Sequence, residues 1–531
     1  MVFKMLSPSA CAVAALLASP GLGNPTRSLL ERGATEADTS KASQVKDVFR
    51  TAWNGYYEHA FPHDTLLPLT GGDSDDRNAW GVTPIDSLST AIVMEESGIV
   101  NQILKYAATV DFTTTKEENS SISLFETNIR YLGGLLAGYD LLKGPMKSLV
   151  DDTNTAHVDA LLKQATSLAD SLSIAFDTPS GVPDDAVFLN PTRRIGGSTS
   201  NGPAGFGTLV LEWTRLSDLT GNKTYAQLAQ RAQGYLVHPA GEPEPFPGLI
   251  GYTVSIEDGK FQDQSGGWGG GTDSFYEYLI KMFLYDPGEF SFYKDRWVAA
   301  ADSTIEHLAS HPTSRPDLTF LAGYDGQTID HWSGHLASFA GGNFILAGVV
   351  LNESKYTDFG LDLASSYYET YKQTPARIGP EGFQWVAADG GSPPDDDQAG
   401  FYKTAGFWPS SRAYILRPET IESLYYAYRV TGDNKYRDMV WEAFTAIRDL
   451  CKAKYGFSGI RDVMQKNGGG QDNFQQSFFL AETLKYSYLT FARDSAVQFH
   501  GRGGNEFVFN TEAHPFRYKS YSLETQGKKL V

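Results

Sequence analysis

The chain has 531 residues, of which 41% are hydrophobic and 13% aromatic, enough apolar material for a large core with aromatic-lined clefts. Its formal net charge of −19 argues against nucleic acid as a partner, because phosphate backbones attract basic protein surfaces. The chain is too long for a typical single core, but it can form one large barrel domain.

The N-terminus has the pattern of a secretory signal peptide. Lys4 supplies a positive charge, and residues 10–18 form an apolar run that is too short to span a bilayer. We predict a signal peptide over residues 1–23, a flexible lead-in over residues 24–42 and, after signal removal, no integral membrane span. A retained membrane anchor is the alternative, because signals and anchors differ mainly in length. The prediction places the protein in the secretory pathway, either secreted or held in the lumen of the Golgi or ER.

Cysteine usage and glycosylation motifs fit that compartment. Cys11 lies in the predicted signal, which leaves Cys451 alone, so we predict no internal disulfide and a buried, unreactive thiol. Three Asn-x-Ser/Thr motifs begin at Asn119, Asn222 and Asn352. Such motifs are typical of surface loops in secreted proteins.

Helical periodicity dominates the rest of the chain. Apolar residues between Val45 and Ala60 fall on one helical face, and Pro62 ends that pattern. A second helical pattern opens at Asp86 and runs to about Glu96. Clear β alternation is scarce and short. The helices are separated by long loops rich in Gly, Pro and Asp, and such loops often carry function.

A short motif recurs where one predicted helix ends and the next begins. Residues 219–225 resemble residues 430–436, and residues 351–356 are a looser third copy. In the first two copies, a glycine separates two amphipathic patterns, as at a helix C-terminus. Hairpins spread along the chain suggest a closed helical toroid, since the period is too irregular for the competing open solenoid. We predict one domain over residues 43–518 and a C-terminal tail over residues 519–531.

Four stretches place carboxylates near the starts of predicted helices or turns. They contain Glu126 with Arg130 one turn later, Asp273 with Glu277 after the Gly-rich segment 266–271, Glu419 with Glu422 after Pro418, and Glu512 before Pro515. Alone, each has an ordinary explanation as a surface ion pair, an N-cap, first-turn acidic capping or a turn. A toroid, however, would gather all four at one end of its axis.

Paired carboxylates in an aromatic-rich cleft suit glycoside hydrolysis. One carboxyl group protonates the leaving oxygen, and another activates water or attacks the sugar. The sequence lacks a His-Glu-x-x-His motif, a cysteine cluster, a Gly-Lys-Ser/Thr phosphate loop and a Gly-x-Ser-x-Gly elbow. The scattered histidines His63, His335 and His514 are interpreted singly as structural.

Six motifs, in this order, resemble those of glycoside hydrolase family 47, the class I α-1,2-mannosidases. The resemblance covers about residues 43–518. The motifs are Phe61–Asp64, Phe125–Arg130 with Gly133–Leu136, Asp273–Leu279, Arg417–Ser423, Glu482–Tyr486 and Phe509–Pro515.

The resemblance implies an all-α fold, the (α/α)7 barrel or helical toroid, with short β-hairpins in its loops. It implies an inverting, calcium-dependent glycosidase that removes terminal α-1,2-linked mannose from high-mannose N-glycans, a mannosyl-oligosaccharide 1,2-α-mannosidase. Glu126 and Asp273 then lie at the scissile bond as candidate general acids, between which the resemblance does not decide. Glu419 takes the position of the general base. We expect a monomer whose partner is the glycan substrate.

The resemblance also implies the metal and sugar contacts. Thr511 matches the residue that binds Ca²⁺ through its hydroxyl and main-chain oxygens, and Glu422 and Glu512 match acids that hold the sugar or the metal's waters. Calcium accepts about six to eight oxygens, several of them from water, so one protein residue can suffice. The residues predicted to bind substrate are Arg130, Glu277, Arg417, Glu422, Glu512 and Gly271.

Four positions depart from the family pattern. Gln476 replaces a Glu, and the lost negative charge is expected to weaken calcium binding. Ser338 replaces a cysteine that usually forms a disulfide, and Ser89 replaces a frequent Asp. Gly271 replaces an Arg found in members that trim a single mannose, so the resemblance implies a roomier pocket and broader trimming.

Three alternatives stay open at this point. One is a catalytically weak relative that binds mannose glycans in glycoprotein degradation, which the departures at Gln476 and Ser338 favour. Another is a helical-toroid glycosidase with a different linkage specificity. The third is a structural helical protein without a site, against which the six ordered motifs argue.

Overall fold

Seven helices form a closed inner ring and seven more surround it in the computed structural model, which describes residues 36–519. Each inner helix packs against the next one, and the last packs against the first. Each outer helix packs against an inner neighbour. The predicted (α/α)7 barrel is therefore confirmed.

Outer and inner helices alternate along the chain, with odd numbers outside and even numbers inside. They are α1 (Glu36–His59), α2 (Val82–Val93), α3 (Ser97–Ala107), α4 (residues 124–143), α5 (Thr155–Leu172), α6 (Val210–Thr220), α7 (Thr224–Val237), α8 (Asp273–Tyr285), α9 (Ser291–Ser303), α10 (Phe339–Leu351), α11 (Ser354–Gln373), α12 (Glu419–Thr431), α13 (Asn434–Leu450) and α14 (residues 479–491). A π-helical turn, Asn128–Leu132, lies within α4, and another, Phe479–Thr483, begins α14. Two short helices, Pro203–Gly207 and Asp396–Ala405, lie outside the two rings.

Inner helices are buried on nearly all sides, whereas outer helices bury mainly one face. Every residue of α2 is buried, and so are residues 339–349 of α10. In α13 the buried residues follow the spacing of a single helical face, Tyr436, Val440, Ala443, Phe444 and Ile447. Inner helices also approach closely: a Cβ atom added at Gly342 of α10 would lie 2.8 Å from the Tyr426 ring of α12. This packing places the core between the two rings.

The recurring motif marks the turn from an inner helix to the next outer helix. Helix α6 ends before Gly221, α10 before Asn352 and α12 before Gly432, with φ angles of 75°, 61° and 66°. These left-handed residues end each helix and let the chain reverse. The repeat seen in the sequence is therefore the hairpin of the barrel.

The strands are short, pair antiparallel and lie in the connections. They are β1 (Thr65–Leu67), β2 (Gly72–Ser74), β3 (Ile122–Ser123), β4 (Ala186–Phe188), β5 (Arg194–Ile195), β6 (Ser200–Asn201), β7 (Val254–Ser255), β8 (Ser265–Gly266), β9 (Ala309–Ser310), β10 (Phe320–Leu321), β11 (Gly323–Asp325), β12 (Thr328–Asp330), β13 (Trp332–Gly334), β14 (Gly382–Gln384), β15 (Trp408–Ser411), β16 (Phe507–Phe509) and β17 (Pro515–Arg517). The hairpin of β16 and β17 carries the last predicted motif.

The first helix begins inside the predicted lead-in. Helix α1 starts at Glu36, so residues 36–42 are helical and are not part of a flexible lead-in. The reason is packing against α13: Asp38 pairs with Arg437, and the Lys41 ammonium lies 5.2 Å from the centre of the Trp441 ring. The polar composition of residues 36–42 does not predict this packing.

Both termini extend past the described range. The predicted signal peptide lies outside the described residues, and so does the predicted tail except for Lys519, which pairs with Glu289. Among residues 36–519, none of the helices combines the length and apolar character that crossing a bilayer needs. Cys451 is fully buried, as predicted, and burial raises the pKa of its thiol.

Candidate active site

The inner ring opens into a cavity of about 270 Å³. Its wall is formed by the N-terminal parts of α4, α8, α12 and α14, by residues at the start of α10 and by the turn of the β16–β17 hairpin. All ten residues predicted for catalysis, substrate binding or metal binding line this one cavity: Glu126, Arg130, Gly271, Asp273, Glu277, Arg417, Glu419, Glu422, Thr511 and Glu512. The expectation that the toroid gathers the carboxylates at one end is confirmed.

Glu126 is held as an ionised carboxylate. Ser123 caps the start of α4 by accepting a hydrogen bond from the Glu126 N–H at 3.3 Å. Arg130 Nε donates to Glu126 Oε2 at 2.8 Å, and Arg77 Nε lies 3.7 Å from the same oxygen. Burial alone would raise the pKa of Glu126, but the two guanidinium groups outweigh it and hold the pKa below its usual value.

Asp273, in contrast to Glu126, lies in surroundings that favour its protonated form. It is the first residue of α8, and Oδ1 accepts only from the Ser274 N–H at 2.7 Å and the Ser274 hydroxyl at 3.1 Å. No cation pairs with this carboxyl group in residues 36–519. Burial, together with the nearby charges of Glu277 and Glu419, raises the pKa of Asp273 to about 7. Asp273 can therefore hold a proton near neutral pH.

Glu419, the first residue of α12, is ionised, and a hydrogen bond from His335 fixes the orientation of its carboxylate. His335 Nδ1 donates to Glu419 Oε2 at 2.6 Å, and the Tyr371 hydroxyl lies 2.7 Å from His335 Nε2. Because an ionised carboxylate can only accept, the proton of this hydrogen bond belongs to His335 Nδ1. Arg417 Nη1 lies 3.7 Å from Glu419 Oε1, and Arg417 Nε donates to Glu381 Oε2 at 2.7 Å. Burial opposes ionisation, but His335 and Arg417 hold the pKa of Glu419 below its usual value.

The floor of the cavity carries an excess of carboxylates over cations. Glu277 pairs with Lys281, and Glu512 pairs with Arg130. Glu422 accepts from the Tyr486 hydroxyl at 3.1 Å, and burial and the charge of Glu277 raise its pKa to about 8. Such crowding favours either a bound proton or a bound cation.

Glu482 adds to this crowding. Burial and the charges of Glu512, Glu419 and Glu422 hold its pKa well above the usual value. In the sequence, Glu482 stands out only as part of the fifth motif. Its place in the cavity wall, one turn from the start of α14, follows the same rule as Glu419 and could have been found in that way.

Thr511 lies at the turn of the β16–β17 hairpin, which reaches into the inner ring. Asn510 fixes this turn by accepting from the N–H groups of Glu512 at 2.9 Å and His514 at 2.8 Å. The Thr511 N–H donates to the Tyr278 hydroxyl at 3.3 Å. Within the described chain, neither the Thr511 hydroxyl nor its carbonyl oxygen takes part in a hydrogen bond. Thr511 thus lines a carboxylate-rich cavity with two oxygens that make no hydrogen bond in the described residues.

This donor set fits a hard cation bound mainly through water. In residues 36–519, no three His, Cys, Asp or Glu side chains are arranged to hold a metal directly. Calcium accepts oxygen ligands, including hydroxyl, carbonyl and water. Thr511 could supply the first two, and Glu422, Glu482 and Glu512 could hold the water ligands.

A polar layer beneath the cavity supports Arg130. Arg130 Nη1 lies 3.6 Å from Asp86 Oδ2, and His514 Nε2 lies 3.0 Å from Asp86 Oδ1. The Ser89 hydroxyl lies 2.9 Å from His514 Nδ1 and accepts a hydrogen bond from the Lys485 ammonium at 2.8 Å. The sequence shows Asp86 only as a helix start and His514 as a structural histidine, because these two partners lie 428 positions apart in the chain.

The other three departures from the family pattern, at Gln476, Ser338 and Gly271, lie outside this polar layer. Gln476 is not among the residues that line the cavity. Ser338 is buried, and its hydroxyl donates to the His335 carbonyl at 2.6 Å. Gly271 has a φ of +101°, and a Cβ atom added there would lie 2.9 Å from the Tyr252 ring. The Tyr252 ring therefore lies against the place that a side chain at residue 271 would take.

The apolar part of the wall was missed by sequence reasoning. It consists of Phe125, Ile129, Leu336, Phe339 and Phe478. A pocket with a few placed polar groups on an apolar wall is typical of small-molecule sites.

Comparisons with known proteins agree on one family. The model of glycosyl hydrolase family 47 matches residues 48–518. The mannosyl-oligosaccharide alpha-1,2-mannosidase 1B of Aspergillus phoenicis is 51% identical over 524 residues, which cover 98% of this chain and 100% of the relative. The mannosyl-oligosaccharide alpha-1,2-mannosidase of Penicillium citrinum is 51% identical, with 91% and 93% covered. The solved alpha-1,2-mannosidase from Trichoderma reesei superposes with a TM-score of 0.90 at 58% identity, covering 91% of this chain and 99% of that one.

Proposed function

Because the chain belongs to glycosyl hydrolase family 47, we propose that it is an inverting, calcium-dependent hydrolase that removes terminal α-1,2-linked mannose from high-mannose N-glycans. Mannose-trimming hydrolysis follows from the family and from its mannosidase relatives. The inversion, with its acid and base roles, and the dependence on calcium are our proposals.

The observation that carries the mechanism is the contrast between two carboxyl groups of one cavity. The pKa of Asp273 is raised to about 7, whereas that of Glu419 is lowered. Two carboxyl groups whose pKa values are driven apart can serve as acid and base in one reaction. Asp273 would donate its proton to the glycosidic oxygen, while Glu419 would accept a proton from the attacking water. This water attacks from the face opposite the leaving group, so the configuration inverts.

Glu126 takes a supporting part in this proposal. Its two guanidinium partners keep it ionised, so it cannot donate a proton in the resting state. It fixes Arg130, which also contacts Glu512, and thereby holds together two sides of the cavity. To act as the general acid instead of Asp273, Glu126 would first have to gain a proton.

We assign the calcium site to the floor of the cavity, where Thr511 and the crowded carboxylates lie. When bound, calcium supplies a positive charge that orients sugar hydroxyls and offsets the carboxylates. Thr511, Glu422, Glu482 and Glu512 are the residues that would hold it and its waters. Arg417 and Glu277 would bind sugar hydroxyls from the walls.

The proposal is tested by mannose release from a high-mannose N-glycan. We expect release in calcium and its loss after treatment with EDTA, with activity restored by added calcium. Activity that EDTA leaves unchanged would remove the metal from the proposal, and no release at all would favour a glycan-binding relative. We also propose that the protein works as a monomer in the secretory pathway, which N-terminal sequencing and light scattering of the secreted protein would check.

A further inference from the structure

A second groove adjoins the active-site cavity. Its volume, about 250 Å³, is close to that of the cavity. The Gly-rich segment before α8 borders both spaces, since Gly269 lines the groove and Gly270 and Gly271 line the cavity. At the start of α10 the same holds for neighbouring residues: Leu336 lines the cavity and Ala337 lines the groove. A ligand that fills the cavity therefore has the groove beside it.

Two exposed aromatic rings line this groove. Trp332 is 40% exposed and Tyr252 is 37% exposed, and few large apolar side chains of the described residues are exposed to this degree. A Cβ atom added at Gly269 would lie 3.9 Å from Trp332, and one at Gly267 would lie 3.8 Å from the Tyr252 hydroxyl. The rings thus stand against the Gly-rich segment that separates groove and cavity. Open aromatic faces are partly negative and attract the polarised C–H face of a sugar ring.

Trp332 is held in place before any ligand arrives. Its Nε1 donates to the Ser410 hydroxyl at 3.1 Å. Cβ atoms added at Gly334 and Gly382 would lie 3.3 Å and 3.4 Å from the indole, so the ring rests on bare backbone. A fixed ring binds with little loss of conformational entropy.

The polar groups of the groove suit a ligand rich in hydroxyls. The carboxylate of Asp330 makes no hydrogen bond or ion pair within residues 36–519, and the carboxylate of Asp325 accepts from the Ser265 hydroxyl at 2.7 Å. Carboxylates are acceptors only, which matches hydroxyl donors. Two acidic side chains without a basic residue in the lining disfavour an anionic ligand.

We propose that this groove, named here the Trp332 groove, is a second sugar-binding subsite for a mannose residue on another arm of the same glycan. This inference rests on the proposed function, because it assumes that the terminal mannose of one arm occupies the cavity. The neighbouring arm then lies across the Gly-rich segment and stacks on Trp332, with Tyr252 at the boundary between the two spaces. The groove would set which arm is trimmed and how well large glycans bind.

The test compares two substrates. α-1,2-Mannobiose has no second arm, whereas a high-mannose N-glycan has several. For Trp332→Ala, we expect kcat/KM for the N-glycan to fall by roughly three- to tenfold, the effect of losing one aromatic contact, and kcat/KM for mannobiose to stay unchanged. Trp332→Phe, which keeps a ring, should recover most of the loss. Phe292→Ala is the matched control, because Phe292 is 43% exposed on α9 and lines neither space.

Each result decides the inference. Equal losses on both substrates would show that Trp332 acts through the cavity wall, and no loss on either would show that the groove binds nothing, so both overturn it. A wild-type protein that releases mannose from neither substrate would overturn the proposed function and the inference with it. An active wild type without a substrate-dependent difference in Trp332→Ala would overturn the inference alone.

Discussion

His335 Nδ1 donates a hydrogen bond to Glu419 Oε2 at 2.6 Å. On the other side of the imidazole, the Tyr371 hydroxyl lies 2.7 Å from His335 Nε2. Ser338, in place of the family's cysteine, accepts from the Thr420 hydroxyl at 2.9 Å and donates to the His335 carbonyl. The backbone that carries His335 is thus tied to the start of α12. These hydrogen bonds connect the two segments without a covalent link, so the serine does not by itself argue against an active site.

The first prediction concerns His335. His335→Ala removes the donor that helps to hold the pKa of Glu419 below its usual value. The pKa of Glu419 should then rise, so the base is ionised only at higher pH and the acidic limb of the kcat/KM profile shifts upward. Tyr371→Phe, which leaves Nδ1 in place, should shift this limb less. An unchanged acidic limb in His335→Ala would show that the limb does not report Glu419.

The second prediction separates the two candidate acids. A general acid works while protonated, so with a pKa of about 7 at Asp273, kcat/KM should be highest below this pH and fall as the pH rises through it. Asp273→Asn should lower kcat by roughly 10² to 10⁴ and abolish this limb. Glu126→Gln should keep the limb near pH 7, even where the lost contact to Arg130 lowers the rate. The reverse pattern would assign the proton to Glu126.

The fold and the meeting of the carboxylates could be predicted from the sequence for a simple geometric reason. Glu126, Asp273 and Glu419 each lie at the N-terminal end of an apolar helical pattern. Once these helices are packed side by side in one ring, their starts meet at one end. A local pattern therefore determines a long-range arrangement.

The groups behind those carboxylates could not be predicted in the same way. His335 and Arg77 come from loops, and Asp86 meets His514 across 428 positions of the chain. Their positions depend on how the loops fold over the ring, which no periodicity encodes. The same is true of Tyr252, which lies against Gly271 although the two are unrelated in sequence pattern.

The third prediction concerns calcium. Calcium that binds only the folded protein stabilises it by about 2.7 kcal/mol at a hundredfold excess over Kd. EDTA should therefore lower the Tm as well as the activity. Thr511→Val removes the free hydroxyl and should reduce the calcium-dependent rise in Tm.

The control for this prediction is Gln476→Glu. The resemblance implies that the missing charge at Gln476 weakens calcium binding, but Gln476 does not line the cavity. We therefore expect calcium affinity, measured by titration calorimetry, to change little in this variant. A clearly tighter site would place Gln476 in the outer surroundings of the metal after all.

The fourth prediction concerns Gly271. Its φ of +101° is unfavourable for other residues, and a Cβ atom would lie 2.9 Å from Tyr252. Gly271→Ala should lower the free energy of unfolding by about 1–3 kcal/mol, the usual range for a strained backbone position. Gly269→Ala is the matched control, because its nearest neighbour, Trp332, is 3.9 Å away. Equal stability of both variants in urea would show that the segment relaxes freely.

The same close contact affects Gly271→Arg, which restores the arginine found in members that trim a single mannose. An arginine there must displace the Tyr252 ring, so we expect slower trimming of every arm in the single variant. Tyr252→Ala with Gly271→Arg makes room for the side chain, and the double variant should recover activity on some arms more than on others. Equal rates of mannose release from all arms in the double variant would mean that residue 271 does not distinguish between the arms of the glycan.

The last prediction concerns the reaction's stereochemistry and rests on Glu419. An inverting site needs acid and base on opposite faces of the sugar, about 6.5–9.5 Å apart, with room for a water molecule. If Glu419 activates that water, the first product is β-mannose, which NMR detects before mutarotation. Glu419→Gln keeps the shape of the side chain but cannot take a proton, so kcat should fall by roughly 10² to 10⁴ while mannoside binding survives. Glu306→Gln, a change on the surface outside the cavity, controls for the loss of one charge. An α-mannose first product, or near-normal turnover in Glu419→Gln, would exclude Glu419 as the base.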